Sequence, residues 1–278
     1  MLNQMRSHQI LPSAVGLVLA WLLITPFAAS SFAEEQFDAA GEKQLVELIN
    51  QERVREGLPP LDVDERLTQA ARRHAELMVK HKALSHQFEG EAALQVRIAN
   101  ENIRGDRESE NVALEMDVSG IHAILMNSPP HRANILSPMY NAVGVGLVRS
   151  GDRLYATEDF ADRLPDYSEP EADAVLQKAI SQYAKAQGQP APVRKEQSAI
   201  RQMACDMALI DALDTKTPRS IAGVHRVLAW TATDLGQLPG NVKGALSEPL
   251  STGYSLGVCF AQSVSHPGGM YWIVMVTY

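Results

Sequence analysis

The strongest constraint on the fold is that one succession of hydrophobic patterns occurs twice along the chain. In the first half, apolar residues recur at helical spacing over residues 45–57 and again after Asp64, which has the chemistry of a helix cap. A period-two alternation then begins at Asn141, and a second strand pattern covers residues 154–160. This half is therefore predicted to form two helices followed by a β-hairpin, within an α+β fold.

The second half repeats this order. Ser168 and Glu171 have the spacing of a capping box ahead of a helical stripe, and a second stripe includes residues 200–207. Two strand patterns follow, over residues 256–260 and 271–278. The repeated order predicts two copies of one plan. The alternative is a single α+β domain whose halves only share a common pattern.

The two copies differ in length at one interval. The stretch from Met78 to Val143 spans 65 positions, whereas the stretch that we match to it, from Met207 to Leu256, spans 49. The second copy is therefore shorter where the first copy carries most of its polar motifs. We expect those motifs to belong to a site that the second copy lacks.

Residues 1–33 have the composition of a signal peptide. Arg6 precedes an apolar run from about residue 14 to residue 27, and small residues end at Ala33 before Glu34 and Glu35. The run is shorter than the roughly 20 residues of a membrane-spanning helix. We therefore expect cleavage after Ala33 and a periplasmic or secreted protein without a stable membrane anchor. The alternative is that the run remains as an uncleaved anchor.

Charge and cysteine content exclude several classes of protein. The chain carries 25 Lys and Arg residues against 33 Asp and Glu residues, a net charge of −8, and no basic cluster. We therefore expect no nucleic-acid partner, because phosphate backbones are bound by clustered cations. Its two cysteines, Cys205 and Cys259, are too few for a four-cysteine zinc site. Export would permit a disulfide between them, but the sequence leaves two free thiols equally open.

Four polar segments carry the chemistry of the first half. They read SHQF over residues 85–88, SENVA over 109–113, NSPPHRANIL over 127–136 and ATEDF over 156–160. Together with VGVG over residues 143–146, they resemble the CAP superfamily, the SCP-like relatives of cysteine-rich secretory proteins, insect-venom antigens and pathogenesis-related plant proteins, and above all its bacterial branch. The resemblance covers residues 43–162. It leaves residues 163–170 as a linker and residues 171–278 as a degenerate second CAP-like domain.

The resemblance implies an α-β-α sandwich with two histidines and two acidic residues in a surface cleft. It assigns these positions to His86, Glu110, His131 and Glu158. Glu158 stands where relatives often carry glutamine. Ser109 and Pro130 stand where glycine is common, so we expect the backbone around the cleft to be reshaped.

Two imidazoles and two carboxylates in one cleft can bind a divalent cation or move protons near neutral pH. If a cation is bound, zinc or another divalent ion, we expect His86 and His131 to hold it. The resemblance implies an exported module that binds a small-molecule, lipid, glycan or peptide ligand. The alternative is a hydrolase in which Glu110 or Glu158 activates water, although the sequence has neither an HExxH helix nor a GxSxG nucleophile elbow.

Other polar residues are predicted to have structural roles. His74 lies on the apolar face of the second helix, so we expect a hydrogen-bonded core residue. His81 and His122 are expected at the surface or in packing contacts, and Asn134 is expected to brace the loop after His131. In the second copy we match Val274 to Glu158, so that copy is predicted to lack the site.

Overall fold

The structure is a computed structural model that describes residues 37–190, 192–247 and 253–278. The predicted signal peptide, residues 1–33, lies outside the described residues. The described part of the chain contains a four-stranded sheet in its first half and a three-stranded sheet in its second half.

The first half is built on a sheet with the strand order β1-β3-β4-β2. Its helices are α1 (Ala39–Arg55), α2 (Glu65–His81), α3 (Leu94–Asn100), α4 (Val118–Asn127) and α5 (Pro129–Ile135). Its strands are β1 (Asp62–Val63), β2 (Gly105–Glu115), β3 (Ala142–Ser150) and β4 (Arg153–Arg163). Strands β1 and β3 are parallel, and the other neighbours are antiparallel. The predicted hairpin of β3 and β4 is confirmed.

Local signals mark the ends of the first two helices, as predicted. Gly57 follows α1 with a φ of +77°, a left-handed conformation that glycine adopts without a steric penalty. Asp64 caps α2, because its side chain accepts a hydrogen bond of 2.9 Å from the backbone N–H of Arg66. Residues at the loop itself therefore determine where α1 ends and where α2 begins.

Helices cover both faces of this sheet, which makes the first half an α-β-α sandwich of the α+β class. On one face, Leu45 of α1 and Ile121 of α4 pack with Val145 of β3. On the other face, Leu67 of α2 packs with Ala142. Alternate residues of β3 thus serve the two helical layers, because successive side chains of a strand point to opposite faces.

The second half has its own helices and sheet. Its helices are α6 (Glu169–Ala186), α7 (Ser198–Leu209) and α8 (Gly240–Leu246), and its strands are β5 (Arg226–Ala232), β6 (Tyr254–Ala261) and β7 (Met270–Thr277). The predicted capping box of Ser168 and Glu171 is present at the start of α6. Residues 164–168 join β4 to α6, within the predicted linker.

The strands of the two sheets follow the same order. Arg194 forms a parallel bridge with Tyr254 at the start of β6, so the order bridge-β6-β7-β5 corresponds to β1-β3-β4-β2. In each half a helix lies directly on a strand glycine. An added Cβ at Gly144 would lie 2.2 Å from the backbone of α2, and one at Gly257 would lie 2.4 Å from the backbone of α7. This shared order supports the predicted duplication, which remains a prediction.

These glycine contacts correct one residue match made from the sequence. The glycine of β3 lies against Leu67, and the glycine of β6 lies against Ile200. His74 follows the contact residue Leu67 by seven positions, and Met207 follows the contact residue Ile200 by the same number. Met207 therefore corresponds to His74. The match of Met207 to Met78 was therefore wrong, because apolar spacing along a helix does not report which turn meets the sheet.

Strand register corrects a second match. Gly144 of β3, the glycine on which α2 packs, lies opposite Asp159, and Gly257 of β6, the glycine on which α7 packs, lies opposite Val274. Val274 therefore corresponds to Asp159, and the counterpart of Glu158 is Ile273. The match of Val274 to Glu158 was wrong by one residue, a slip that moves a side chain to the other face of the sheet.

Cys205 and Cys259 form a disulfide, with their Cα atoms 5.2 Å apart. Cys205 lies in α7 and Cys259 in β6, so the bond joins the helix to the sheet on which it packs. The structure thus has the disulfide rather than the two free thiols that the sequence left equally open.

The hairpin of β6 and β7 packs against the segment that joins α3 to β2. The backbone N–H of Gly105 donates to the carbonyl of Gly268 at 3.3 Å. The guanidinium of Arg104 lies 4.1 Å from the centre of the Phe260 ring. The second half therefore contacts the chain between the helix and the strand that supply site residues of the first half.

Candidate functional site

The predicted site residues His86 and Glu110 are in direct contact. His86 Nδ1 lies 2.9 Å from Glu110 Oε1 in β2, and Arg97 of α3 donates to Glu110 Oε2 at 2.7 Å. The Glu110 side chain is 3% exposed, whereas that of His86 is 60% exposed. The exposed imidazole of His86 is therefore fixed by the buried carboxylate of Glu110, and both oxygens of that carboxylate have a hydrogen-bond partner.

A second buried carboxylate extends this network. Arg97 Nη1 lies 3.2 Å from Glu91 Oε1, and the same oxygen lies 2.7 Å from His74 Nδ1. His74 Nε2 lies 2.7 Å from the carbonyl oxygen of Ser85, next to His86 in the chain. The prediction that His74 is a hydrogen-bonded core residue is confirmed. Its two hydrogen bonds anchor the loop that carries His86 to the body of the domain.

His131 lies in α5, whose first two residues are Pro129 and Pro130. Proline suits the first turn of a helix, because its fixed φ is helical and its missing N–H would have no intrahelical partner there. Ser109 lies within β2, where extended backbone suits any residue. Neither departure from glycine therefore introduces a left-handed backbone conformation, and the expected reshaping of the cleft stays a prediction.

Two asparagines connect α5 to the sheet. Asn111 Nδ2 donates to the carbonyl of His131 at 3.2 Å and to Glu158 Oε2 at 2.9 Å. Asn134 Nδ2 donates to Asn111 Oδ1 at 2.8 Å. Asn134 therefore braces α5 against β2. The expectation that it braces a loop after His131 was wrong, because the following residues are helical.

The sheet separates Glu110 from Glu158. Asp159 lies opposite Glu110, and Glu158 lies opposite Asn111 in the same strand pair. Because neighbouring strand residues point to opposite faces, Glu110 lies on the α2 face and Glu158 on the α5 face. The structure thus brings His86 and Glu110 together and links Glu158 to the backbone of His131 through Asn111.

The two histidines have pKa values shifted in opposite directions. The hydrogen bond with Glu110 raises the pKa of His86 against the opposing effect of burial. Burial and then the positive charge of His86 lower the pKa of His131. At a pH between the two values, His86 carries a proton that it can donate, while His131 is neutral and can accept one.

Glu158 is fully buried, and burial raises its pKa to about 7. The hydrogen bond from Asn111 opposes this rise but does not cancel it. One oxygen, Oε1, is buried without a hydrogen-bond partner. Glu158 therefore titrates near neutral pH while it is buried on the α5 face of the sheet, without contact with solvent.

Sequence reasoning missed Glu91, Arg97 and Asp159. Arg97 and Glu91 lie in and before α3, between two of the recognised motifs, and the sequence has no signal that pairs them across the loop. Asp159 had a local signal, because Glu158 and Asp159 are adjacent in the strand segment ATEDF and therefore face opposite sides of the sheet. Asp159 is 1% exposed, and burial followed by the charge of Glu110 raises its pKa well above the usual range.

The remaining histidines of this half lie outside the network. The His81 ring stacks on Phe88 with centroids 4.4 Å apart. His122 Nε2 lies 3.6 Å from Glu52 Oε1. Both placements confirm the predicted surface or packing roles.

The side chains of the site offer few ligands to a metal ion. Among residues 37–190, 192–247 and 253–278, no group of three or more His, Cys, Asp or Glu side chains is arranged to hold a metal ion. Both oxygens of Glu110 are already engaged, and Glu158 lies behind the sheet. The imidazoles of His86 and His131 remain, which is fewer than the three protein ligands typical of catalytic zinc. These residues do not fit a three-ligand zinc site.

Comparisons with known proteins identify the first half. Residues 46–160 match the model of the cysteine-rich secretory protein family, CAP. The uncharacterized protein YkwD of Bacillus subtilis is 35% identical over 123 residues, which cover 41% of this chain and 44% of that protein. The uncharacterized membrane protein YlbC of the same bacterium is 32% identical over 143 residues, 51% of this chain and 40% of that protein. The chain thus spans less than half the length of these relatives.

Solved structures include similar chains. An extracellular protein containing an SCP domain from Bacillus anthracis is 27% identical, with a TM-score of 0.39, over 44% of this chain and 40% of that chain. An outer surface protein from Borrelia burgdorferi is 18% identical, with a TM-score of 0.43, over 45% of this chain and 94% of that chain. In the described part of this chain, no helix is both long and apolar enough to cross a bilayer. The motifs and the family match together identify residues 46–160 as a CAP domain of the cysteine-rich secretory protein family.

Proposed function

We propose that the CAP domain is an exported binding module whose cleft presents His86 to an acceptor group of a small or extended ligand. The observation that carries the proposal is the exposed imidazole fixed by the buried pair Glu110 and Arg97. Because its Nδ1 faces a carboxylate, the other ring nitrogen of His86 remains for a ligand. A binding group held in one orientation loses little conformational entropy when a ligand arrives.

The charge of the site favours ligands that carry an acceptor or an anionic oxygen. The raised pKa of His86 increases the fraction of protonated imidazole near neutral pH, and a protonated imidazole makes charge-assisted hydrogen bonds. His131, whose pKa is lowered, supplies a neutral ring beside it. A lipid head group, an acidic glycan and a peptide carboxylate all present the oxygen atoms that such a pair would recognise.

The alternative hydrolase is less well supported by the carboxylates. General-base catalysis requires a carboxylate within reach of the attacking water. The Glu110 side chain is 3% exposed with both oxygens engaged, and Glu158 is fully buried. Neither acid that the sequence offered for water activation has a free oxygen at the surface, so binding is the better proposal.

The binding test uses one probe for each predicted ligand class: octanoate for lipids, trigalacturonic acid for acidic glycans and tetra-alanine for peptides. Calorimetry compares the wild type, His86→Ala and His225→Ala, a control that removes an exposed histidine from the second half. We expect at least one probe to bind the wild type and His225→Ala, and to bind His86→Ala about 10 to 100 times more weakly, the equivalent of one charge-assisted hydrogen bond. Failure of all three probes, or equal binding by His86→Ala, would contradict the proposal.

A divalent cation held by His86 and His131 is a separate prediction. Zinc titration of the wild type, His86→Ala and His131→Ala measures it directly. If the two imidazoles share the ion, each variant loses most of the affinity of the wild type. Equal zinc binding by both variants would rule out the shared site.

Export to the periplasm or to the exterior rests on residues 1–33. Sequencing of the amino terminus of the mature protein tests it, with Glu34 as the expected first residue. A mature protein that still begins at Met1 would contradict cleavage and favour the uncleaved anchor.

A further inference from the structure

Asp159 is a buried acid that the proposed binding role does not use. Asp159 is 1% exposed, and neither of its carboxyl oxygens has a hydrogen-bond partner in the described structure. An ionised carboxylate in such a place would carry a large desolvation penalty with no compensating contact. Its protonation state therefore has to be explained by the groups around it.

The nearest acid is Glu110, which lies directly opposite Asp159 in the antiparallel pair of β2 and β4. Residues opposite each other in such a pair have Cβ atoms roughly 5 Å apart. Two buried carboxylates on such neighbouring side chains do not both ionise readily, because their charges repel. The pair is therefore expected to hold one proton at a pH where exposed acids hold none.

The partners of each acid decide which of them holds that proton. Glu110 has a partner on each oxygen, His86 Nδ1 on Oε1 and the Arg97 guanidinium on Oε2. Asp159 contacts neither, and Arg97 divides its two terminal nitrogens between Glu110 and Glu91. The negative charge is stabilised on Glu110, and the proton is left to Asp159.

We propose that Asp159 is a positioning residue of the cleft that carries the proton of the Glu110–Asp159 pair, so that Glu110 alone is charged and holds His86. The inference rests on the proposed function in one respect, since it takes the His86–Glu110 contact as the binding part of the cleft. Asp159 acts through Glu110 and does not itself touch the ligand.

The elements packed around Asp159 supply the charges that act on it. Strand β2 contributes Glu110, helix α3 contributes Arg97, and the loop before α3 contributes Glu91. Helix α2 contributes His74, whose Nε2 lies 3.8 Å from Glu110 Oε2. Burial and the two acids favour the protonated form, and Arg97 opposes it.

The second half provides an internal comparison. At the register position of Asp159 it carries Val274, and opposite Val274 it carries Ala229 in place of Glu110. Both counterparts are apolar, so this position in the sheet has no structural need for an acid. An acid retained there against its desolvation cost is explained by the site above it.

Infrared spectroscopy of the full chain tests the protonation state. A protonated carboxyl group has a C=O stretch above the amide I band, where ionised carboxylates do not absorb. We expect this band in the wild type at about pH 8, where Glu158 with its pKa of about 7 is mostly ionised. The band should disappear in Asp159→Asn and remain in Glu158→Gln, the matched control at the neighbouring buried acid.

A further variant tests the coupling to Glu110. In Glu110→Gln the repelling charge is gone while the burial of Asp159 remains, so the Asp159 band should lose area at the same pH. A purely structural Asp159 would keep its band unchanged in this variant. Circular dichroism and thermal unfolding of each variant confirm that the spectra are taken on folded protein.

Three outcomes would overturn the inference: no carboxyl band in the wild type, a band that persists in Asp159→Asn, or a band that Glu110→Gln leaves unchanged. None of them depends on a bound ligand. Failure of the ligand probes and failure of the infrared test are therefore separate results.

Discussion

The two halves of the chain have sheets of the same strand order but fill the matched positions with opposite chemistry. Strand register and helix contact give five polar residues of the first half an apolar counterpart in the second half. Met207 stands for His74, Ala229 for Glu110, Trp230 for Asn111, Ile273 for Glu158 and Val274 for Asp159. The second half shows that this arrangement of strands forms with an apolar interior. The polar network of the first half is therefore not needed for the sheet, and its desolvation cost supports the proposed binding role.

The halves also differ in how the second helix is held on the sheet. In the first half, an added Cβ at Gly146 would lie 2.4 Å from the backbone of Ala71, so glycine allows the helix to approach. In the second half, the position two residues after the contact glycine is Cys259, which is bonded to Cys205 of the helix. One half relies on close packing, and the other adds a covalent link that an oxidising compartment maintains.

The largest expected effect comes from removing the cation of the polar network. Arg97→Met leaves Glu91 and Glu110 without their shared guanidinium, and breaking a buried ion pair from one side costs about 3–5 kcal/mol. Urea unfolding measures the loss. Arg201→Met, which removes an exposed partner of Glu169 in the second half, is the matched control and should cost less than about 1 kcal/mol. Equal small costs would show that the network does not stabilise the first half.

The disulfide should give the next largest effect. Replacing Cys205 and Cys259 with serine should lower the free energy of unfolding by about 2–4 kcal/mol, because the unfolded chain regains conformational freedom. Thermal unfolding with and without reductant measures the effect in the wild type. The double variant should be insensitive to reductant. A wild type that is also insensitive, or that titrates two free thiols, would contradict the covalent link.

The contact glycines should respond alike if the halves are built alike. Gly144→Ala and Gly257→Ala each push a methyl group into helix backbone, and overpacking of this kind costs about 1–3 kcal/mol. Gly244→Ala in α8 is the control, since nothing lies within 4 Å of its added Cβ. Denaturant midpoints of the three variants provide the measurement. If only one of Gly144→Ala and Gly257→Ala is destabilised, the two glycines are not structurally equivalent.

The smallest effect concerns the start of the second helix in each half, which has a side-chain cap in the first half and none in the second. Burial opposes ionisation of Asp64, but hydrogen bonds from Arg66 and Arg163 outweigh it and lower the pKa of Asp64. A lowered folded-state pKa gives stability that is present above the unfolded value of about 3.9 and is lost as pH falls through the folded value. Asp64→Ala should cost about 1 kcal/mol at neutral pH and progressively less below about pH 4.

The corresponding position in the second half is the control for this pH dependence. Gln197 precedes α7 and makes no side-chain capping bond. Gln197→Ala removes an uncharged hydrogen bond from the Tyr278 hydroxyl and no helix cap, so its cost should not depend on acid pH. Unfolding curves recorded between about pH 3 and pH 7 compare the two variants. A cost for Asp64→Ala that persists undiminished in acid would show that its charge is not what stabilises α2.

Local elements were predictable because their signals are local. The hairpin with its turn at Gly151, the cap at Asp64 and the capping box at Ser168 each depend on residues a few positions apart. The matches between the halves failed by one strand residue and by one helical turn or more, at Val274 and Met207. Those matches depend on register and on helix–sheet contact, which short-range patterns do not specify.

The candidate site was predictable only in part. The motifs identified His86 and Glu110, which the structure brings into contact, but not the buried cation between the two carboxylates. Arg97 lies in a short helix whose pattern is also typical of a solvated surface. Its burial depends on the loop that folds over it, and that loop is held by His74 of the preceding helix, α2.

The amino-acid sequence alone determined the family of the first half, two helices and the hairpin of each half, and two of the site residues, because periodicity, caps and motifs depend on neighbouring positions. The tertiary structure alone decided the face of each acid, the disulfide, and the pairing of Arg97 with Glu91 and Glu110. The physical reason is that charge and protonation in a protein interior depend on which groups burial brings within a few ångströms, and chain folding brings together residues that the sequence keeps far apart.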